Sequence, residues 1–147
     1  MAPIMDDQRI EAPNESDVDG IARAVLHAKK VIAEALGSEL TGSKADLLLI
    51  QQLLDSGTVE REATYTLQAL GLAFGMVFID ANPDYDWCMV EDNLGRDPAI
   101  RYKRTSLLAY PRTMISKRIE DGECVNVAEL FDGLCRRMAE LVERGWH

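Results

Sequence analysis

Apolar positions along the chain fall into three helical patterns before their spacing changes. Ile21, Ala24, Val25, Ala28, Val31, Ile32, Ala35 and Leu36 recur at steps of three and four, the period of one helix face. Ser16 precedes them as an N-cap, Asp17 and Asp19 sit where acids suit the helix dipole, and Gly37 follows as a stop. The pattern predicts a helix over 17–36. Ser43, with Asp46 three residues on, reads as a capping box for a second helix. Leu47, Leu48, Ile50, Leu53 and Leu54 form its apolar face, and Ser56-Gly57 ends it. Thr58 opens a third helix, predicted over 59–81. Its later part is apolar on all sides (Leu67, Leu70, Leu72, Phe74, Met76, Val77, Phe78, Ile79), as suits the centre of a fold. Gly71 and Gly75 lie four apart in it. Each costs about 1 kcal/mol of helix propensity relative to alanine, and the missing Cβ predicts close approach of another element.

Asn82-Pro83-Asp84 ends that helix, and alternation takes over. Residues 86–92 and 97–103 read as strands joined by Asn93-Leu94-Gly95, a three-residue loop with glycine in the left-handed conformation. In that register Asp92 faces Arg96. Cys88, Val90, Ile100 and Tyr102 then share one face. Trp87, Met89, Ala99 and Arg101 share the other, with Arg101 near the Trp87 ring. Leu107 to Tyr110 is a third extended segment. Pro111 suits the first turn of a short helix that Gly122 stops, with a strand over 113–119 as the alternative. Asn126 and Glu129 cap a last helix bearing Val127, Leu130, Phe131, Leu134, Met138, Leu141 and Val142, with Gly145 past its end. The expected fold is α+β: three N-terminal helices, a small antiparallel sheet of two to three strands, then two C-terminal helices. Residues 1–15, polar with Pro3 and Pro13, are expected to form a flexible arm ahead of a single domain over 16–147.

Composition narrows the classes of function. Apolar residues make up 47% of the chain, enough for one core without metals or disulfides. The net charge of −9 disfavours nucleic acid and attracts basic partners. Cys88, Cys124 and Cys135 are odd in number and lack metal-type spacing, which suits free thiols in a reducing compartment and predicts a cytoplasmic protein. The acidic first twenty residues lack a signal-type apolar core. The longest apolar run, Ala69 to Ile79, is too short to span a bilayer, so no membrane partner is expected. His27 and His147 do not recur at ligand spacing and no nucleotide-binding motif is present, so neither metal nor cofactor is expected. Cys88 has no base beside it in sequence, Cys135 lies at the edge of an apolar stripe, and Cys124 occupies a loop.

Several short segments occur in a particular order. Tyr65 to Gly75, with its four-spaced glycines, precedes the tryptophan strand. Leu94-Gly-Arg-Asp-Pro-Ala-Ile-Arg-Tyr102, Tyr110-Pro111 and Lys117-Arg-Ile-Glu120 follow. This order resembles a bacterial family catalogued as a domain of unknown function, number thirty-eight-oh-six, over residues 60–140. The resemblance implies a bacterial origin and an α+β fold, and it implies no reaction.

Charge is segregated along the chain. Between Arg96 and Arg118 the net charge is +6, against −15 for the remainder. This segment either pairs internally with acids of the helices or forms a basic face. Arg96, Asp97, Arg101, Lys103, Lys117 and Arg118 are the candidates for binding an anion or a partner. No constellation of catalytic residues stands out. The expected function is a non-enzymatic protein-interaction module, through the basic hairpin or the acidic helical side, meeting another protein or a second copy. A special case is an immunity-type inhibitor masking a basic toxin. The alternative is a small enzyme or sensor holding an anionic metabolite in a basic pocket near Arg96, Arg101 and Lys117.

Overall fold

Among the described residues, two helices start where a side chain answers a free N–H group of the first turn, and the others start without a side-chain cap. In the computed structural model, which describes residues 8–145, the chain begins with β1 (Arg9–Glu11) and α1 (Glu15–Leu36). It continues through α2 (Ala45–Asp55), α3 (Thr64–Ala81), β2 (Tyr85–Asp92) and β3 (Gly95–Tyr102). Next come β4 (Leu108–Ala109), a 3-10 turn (Pro111–Thr113), α4 (Met114–Glu120) and α5 (Val127–Glu143). The fold is therefore α+β, with five α-helices and one antiparallel sheet ordered β1-β2-β3-β4 among the described residues. Residues 113–119 are helical beyond the 3-10 turn, which settles the strand alternative.

Asn14, and not Ser16, caps α1. Its Oδ1 accepts from Asp17 N at 2.8 Å, while its own N–H donates to Asp17 Oδ2 at 2.9 Å, a complete capping box. At α2, Ser43 does not cap with its hydroxyl. Asp46 is 2% exposed and turns back to accept from the N–H groups of Thr41, at 2.8 Å, and Gly42, at 2.7 Å. The third helix starts at Thr64 instead of 59. The Thr58 hydroxyl accepts from Ser56 Oγ at 2.9 Å, and Ala63, the residue before the helix, offers no side-chain cap. At α5, Asn126 Oδ1 accepts from Glu129 N at 3.0 Å as the sequence pattern implies.

Part of the expected N-terminal arm belongs to the sheet. Arg9–Glu11 pair antiparallel with Met89–Glu91, and α1 begins at Glu15; residues 1–7 of that arm lie outside the described residues. The hairpin register also differs from expectation. Asp92 pairs with Gly95 across a two-residue Asn93-Leu94 turn, so Glu91, and not Asp92, lies opposite Arg96. The cause is local: Asp92 Oδ1 accepts from Leu94 N at 2.8 Å and closes the turn one residue early. A one-residue shift regroups the faces. Trp87 and Met89 lie opposite Ile100 and Pro98, on the side facing the helices. Cys88 and Val90 lie opposite Ala99 and Asp97, and Cys88, Val90 and Ala99 form a small apolar cluster with Ile10 and Leu108. Arg101 lies opposite Asp86, away from the Trp87 ring, and its Nε donates to the Thr105 carbonyl at 2.5 Å. At the sheet edge, Trp87 N donates to Asp86 Oδ1 at 2.8 Å.

The main core gathers on α3. Phe74 and Phe78 are fully buried and meet Phe131 of α5 edge-on at ring separations of 5.7 and 6.2 Å. Leu67, Leu70 and Val77 bury beside Ile32, Ile50, Leu53, Ile100 and Ile115. By length and apolarity alone α3 could cross a bilayer, at mean hydropathy 1.2. In the fold, Leu67, Leu70, Phe74, Val77 and Phe78 are among its residues buried in the core.

Gly71 and Gly75 make this arrangement possible. A Cβ at Gly71 would stand 2.8 Å from the Arg112 carbonyl oxygen and closer still to that of Pro111. A Cβ at Gly75 would stand 2.9 Å from both Pro111 Cγ and Trp87 Cη2. The backbone of the 3-10 turn thus lies directly on α3. Gly71→Ala should lower stability by about 1–3 kcal/mol through overpacking, despite the helix-propensity gain of about 1 kcal/mol. The same change at Gly133 of α5, where a Cβ meets nothing within 4 Å, should leave stability equal or higher. Chemical-denaturation midpoints of the two variants check this; equal midpoints would remove the packing role of Gly71.

Candidate functional site

The capping box of α1 places a carboxylate at the mouth of a cleft. Asp17 accepts from Arg96 of β3 through Oδ1, at 3.1 Å from Nε, and Oδ2, at 2.6 Å from Nη2, a bidentate pair. Arg96 Nη1 also donates to Glu11 of β1 at 2.5 Å and Glu91 of β2 at 3.0 Å. Arg9 pairs with Glu91. Close by, Arg112 of the 3-10 turn donates to Asp97, and to Gln68 Oε1 of α3 at 3.2 Å. Arg96, Asp97 and Arg112 line a cleft of about 360 Å³ with Asp17, Gln68 and Met89. Arg112 Nε is buried there with no hydrogen-bond partner.

Electrostatics follow from this geometry. The Arg96 hydrogen bonds hold the Asp17 carboxyl below the usual range. Those of Arg96 and then Arg9 do the same for Glu91. The Arg96 guanidinium is raised in turn, chiefly by Asp17 and Glu11. Three arginines face four carboxylates in this cluster (Arg9, Arg96 and Arg112; Glu11, Asp17, Glu91 and Asp97), so it carries about one negative charge. Every nitrogen of Arg96 already bonds a carboxylate, which leaves no open cationic centre for an anion at that residue.

The six candidates from the sequence therefore divide. Arg96 and Asp97 meet in the ion cluster. Arg101 lies on the outer face of the sheet, bonded to a carbonyl. Lys103 is exposed at a positive φ of 46°, its Nζ 5.3 Å from the centre of the Tyr102 ring. Lys117 is exposed on α4. Arg118 donates to the Met114 carbonyl at 2.7 Å and lines a different cleft, between α4 and α5. Arg96, Arg101 and Lys117 do not come together in the cleft that Arg96 lines.

Sequence reasoning missed a larger feature. Val18, Ala22, Val25, Leu26 and Lys29 of α1 form one wall of an open groove of about 590 Å³, facing Met76 of α3 and Asp86 and Trp87 of β2. Val18 is 53% exposed, Leu26 57% and Met76 38%. Trp87 Nε1 donates to Met76 Sδ at 3.4 Å and holds the indole in place. The signal was legible as a second apolar stripe at 18, 22, 25 and 26, beside the core stripe of the same helix.

Cys88 is buried, which pushes its thiol pKa up; Cys135 is half-buried and accepts from Asn82 Nδ2 at 3.6 Å; Cys124 is exposed. His27 Nε2 bonds Thr66 Oγ1 at 2.8 Å, and its ring packs on Tyr65. Among the described residues, no three histidine, cysteine or acidic side chains are placed to hold a metal ion.

These features define an α+β domain with charged and apolar clefts around one glycine-packed helix. The chain belongs to the family described as domain of unknown function DUF3806, whose model matches residues 46–131. A crystal structure from Bacteroides thetaiotaomicron VPI-5482, at 1.50 Å resolution, shares the fold with a TM-score of 0.80 and 18% sequence identity. The match covers 87% of this chain and 47% of that one, so this chain spans about half of its length. No curated protein matches the chain.

The ion cluster has a measurable signature. Asp17 and Glu91 have depressed folded-state pKa values, so their stabilisation is complete above the unfolded values, near about 4, and is lost as pH falls through the lower folded ones. Unfolding free energy should be level above about pH 5 and decline steadily below about pH 4. Arg96→Gln should flatten that acid limb, because both carboxyls return toward ordinary values. An acid limb of unchanged slope in the variant would show that Arg96 does not hold them.

Proposed function

We propose that this domain is a binding module, and that it takes an amphipathic helix with basic flanks into the groove between α1, α3 and β2. The observation that carries this reading is the gathering of exposed Val18, Leu26 and Met76 with Trp87 around one concave apolar surface. Scattered exposed apolar residues need no explanation, but a shared groove of this size is the form a recognition site takes. The groove suits side chains set along one helix face, as in other helix-in-groove complexes.

Charge supports a basic occupant. Asp86 lines the groove, exposed Asp80 follows Met76 by one helical turn, and exposed Asp84 precedes the strand. The whole chain carries −9, and Arg96 and Arg112 of the basic segment are already paired with acids. Lys29 is the cation among the groove's lining residues. A partner with basic flanks would therefore be steered toward this side. An immunity-type inhibitor, in which a small acidic protein covers a basic enzyme, is a special case of this reading. Free cysteines suit action in a reducing compartment.

Trp87 reports on occupancy once Trp146 is changed to Phe. A helical peptide with a leucine stripe and lysine flanks should shift Trp87 emission, with an affinity that falls as salt rises. The same stripe with glutamate flanks should bind at least about tenfold more weakly, and Leu26→Asp should reduce affinity for the basic peptide by a similar factor. Equal binding of both peptides, or full binding by Leu26→Asp, would exclude the groove as the docking surface.

A further inference from the structure

Gly133 sits in the middle of α5, where glycine disfavours the helix relative to alanine. Gly71 and Gly75 are explained by the backbone and rings packed on them. Gly133 is not, because a Cβ there meets nothing within 4 Å. The space lies in a cleft of about 490 Å³ between α4 and α5. Gly20 of α1 also has open space beside it, but the cleft it lines is the ion cluster, whose arginines already hold carboxylates.

The α4–α5 cleft is different. Arg118 and Arg137 both line it, and neither forms an ion pair with an acid among the described residues. Arg118 uses one Nη to donate to the Met114 carbonyl, which fixes the side chain and leaves its other nitrogens available. Glu129 lines the same cleft, and its carboxylate accepts from Asn126 Nδ2 at 3.3 Å. The cleft's charged side chains sum to about +1 in a chain of −9. Leu130 and Leu134 stand at i and i+4 on the α5 wall, with Gly133 between them and Met114 from α4.

We propose that this cleft binds a small amphipathic anion. A carboxylate or phosphate head would be held by Arg118 and Arg137, and a short apolar tail would lie along Leu130 and Leu134 over the gap at Gly133. Guanidinium groups suit either head, since both offer two oxygens to a planar fork of donors. The bare backbone at Gly133 lets the tail come closer to the helix than any side chain would allow. The site is separate from the α1–α3–β2 groove, so either can fail without the other.

Isothermal titration calorimetry of the full chain with octanoate, octyl phosphate, inorganic phosphate and octyltrimethylammonium tests this directly. Octanoate or octyl phosphate should bind, and which is tighter identifies the head group. Inorganic phosphate and octyltrimethylammonium should bind at least about tenfold more weakly. Cys124 lines the cleft and is exposed, so a bound anion should slow its modification by N-ethylmaleimide. Arg137→Gln should weaken binding about tenfold or more. Gly133→Leu should abolish it with the thermal midpoint unchanged or raised, an outcome a purely structural glycine would not give. Equal binding of the cationic amphiphile, no binding of either anion, or undiminished binding by Gly133→Leu would each overturn the site.

Discussion

The contact between α3 and the Pro111–Thr113 turn governs the rest of this structure. At Gly71 the helix backbone meets carbonyl oxygens of the turn, and at Gly75 it meets the Pro111 ring and the edge of Trp87. Only glycine permits approach this close. Because the turn lies on the helix, Arg112 reaches Gln68 and Asp97, and β4 is delivered to the edge of β3. Because Gly75 admits Trp87, the indole lies against Met76 and forms the floor of the apolar groove. The Arg112 arm of the ion cluster and the Trp87 side of the groove both follow from that pair of missing side chains.

Much of this was legible in the chain. Helix periodicity marked α1, α2, α5 and the buried part of α3, while the segment of α4 stayed open between helix and strand; the glycine spacing in α3 marked the close approach. Local rules worked where the deciding interaction was local, as in the Asn126–Glu129 cap. They failed where two local devices competed. Asn14 and Ser16 both offered a cap for α1, and Asn14 prevailed by closing a reciprocal pair with Asp17. Asp92 closed its turn through a side-chain bond, shifting the hairpin register by one residue.

The candidate site was less legible because charge was read along the sequence. A run carrying +6 suggested a basic face, but partners of Arg96 lie 79 and 85 positions away, in α1 and β1. No count within the segment reveals such pairing. β1 was hidden for a related reason: three residues make no pattern, and their strand character comes from the pairing with β2 and from the ion pairs of Arg9 and Glu11. The groove was hidden differently. Its α1 residues were visible as apolar, but a stripe beside a core stripe reads as a broader buried face until the opposite wall is known.

The bond from Trp87 N–H to the Asp86 carboxylate bears on how the molecule avoids its own kind. β1 covers β2 only along Met89–Glu91, so the stretch before it is a sheet border. Such borders invite a foreign strand, and crowded cells punish proteins that leave them open. Here the backbone donor of Trp87 is occupied by the carboxylate of the neighbouring Asp86. That donor is thereby withdrawn from main-chain pairing while the indole beside it stays open to side chains. The molecule thus presents an apolar surface next to a sheet border where one backbone donor is already taken.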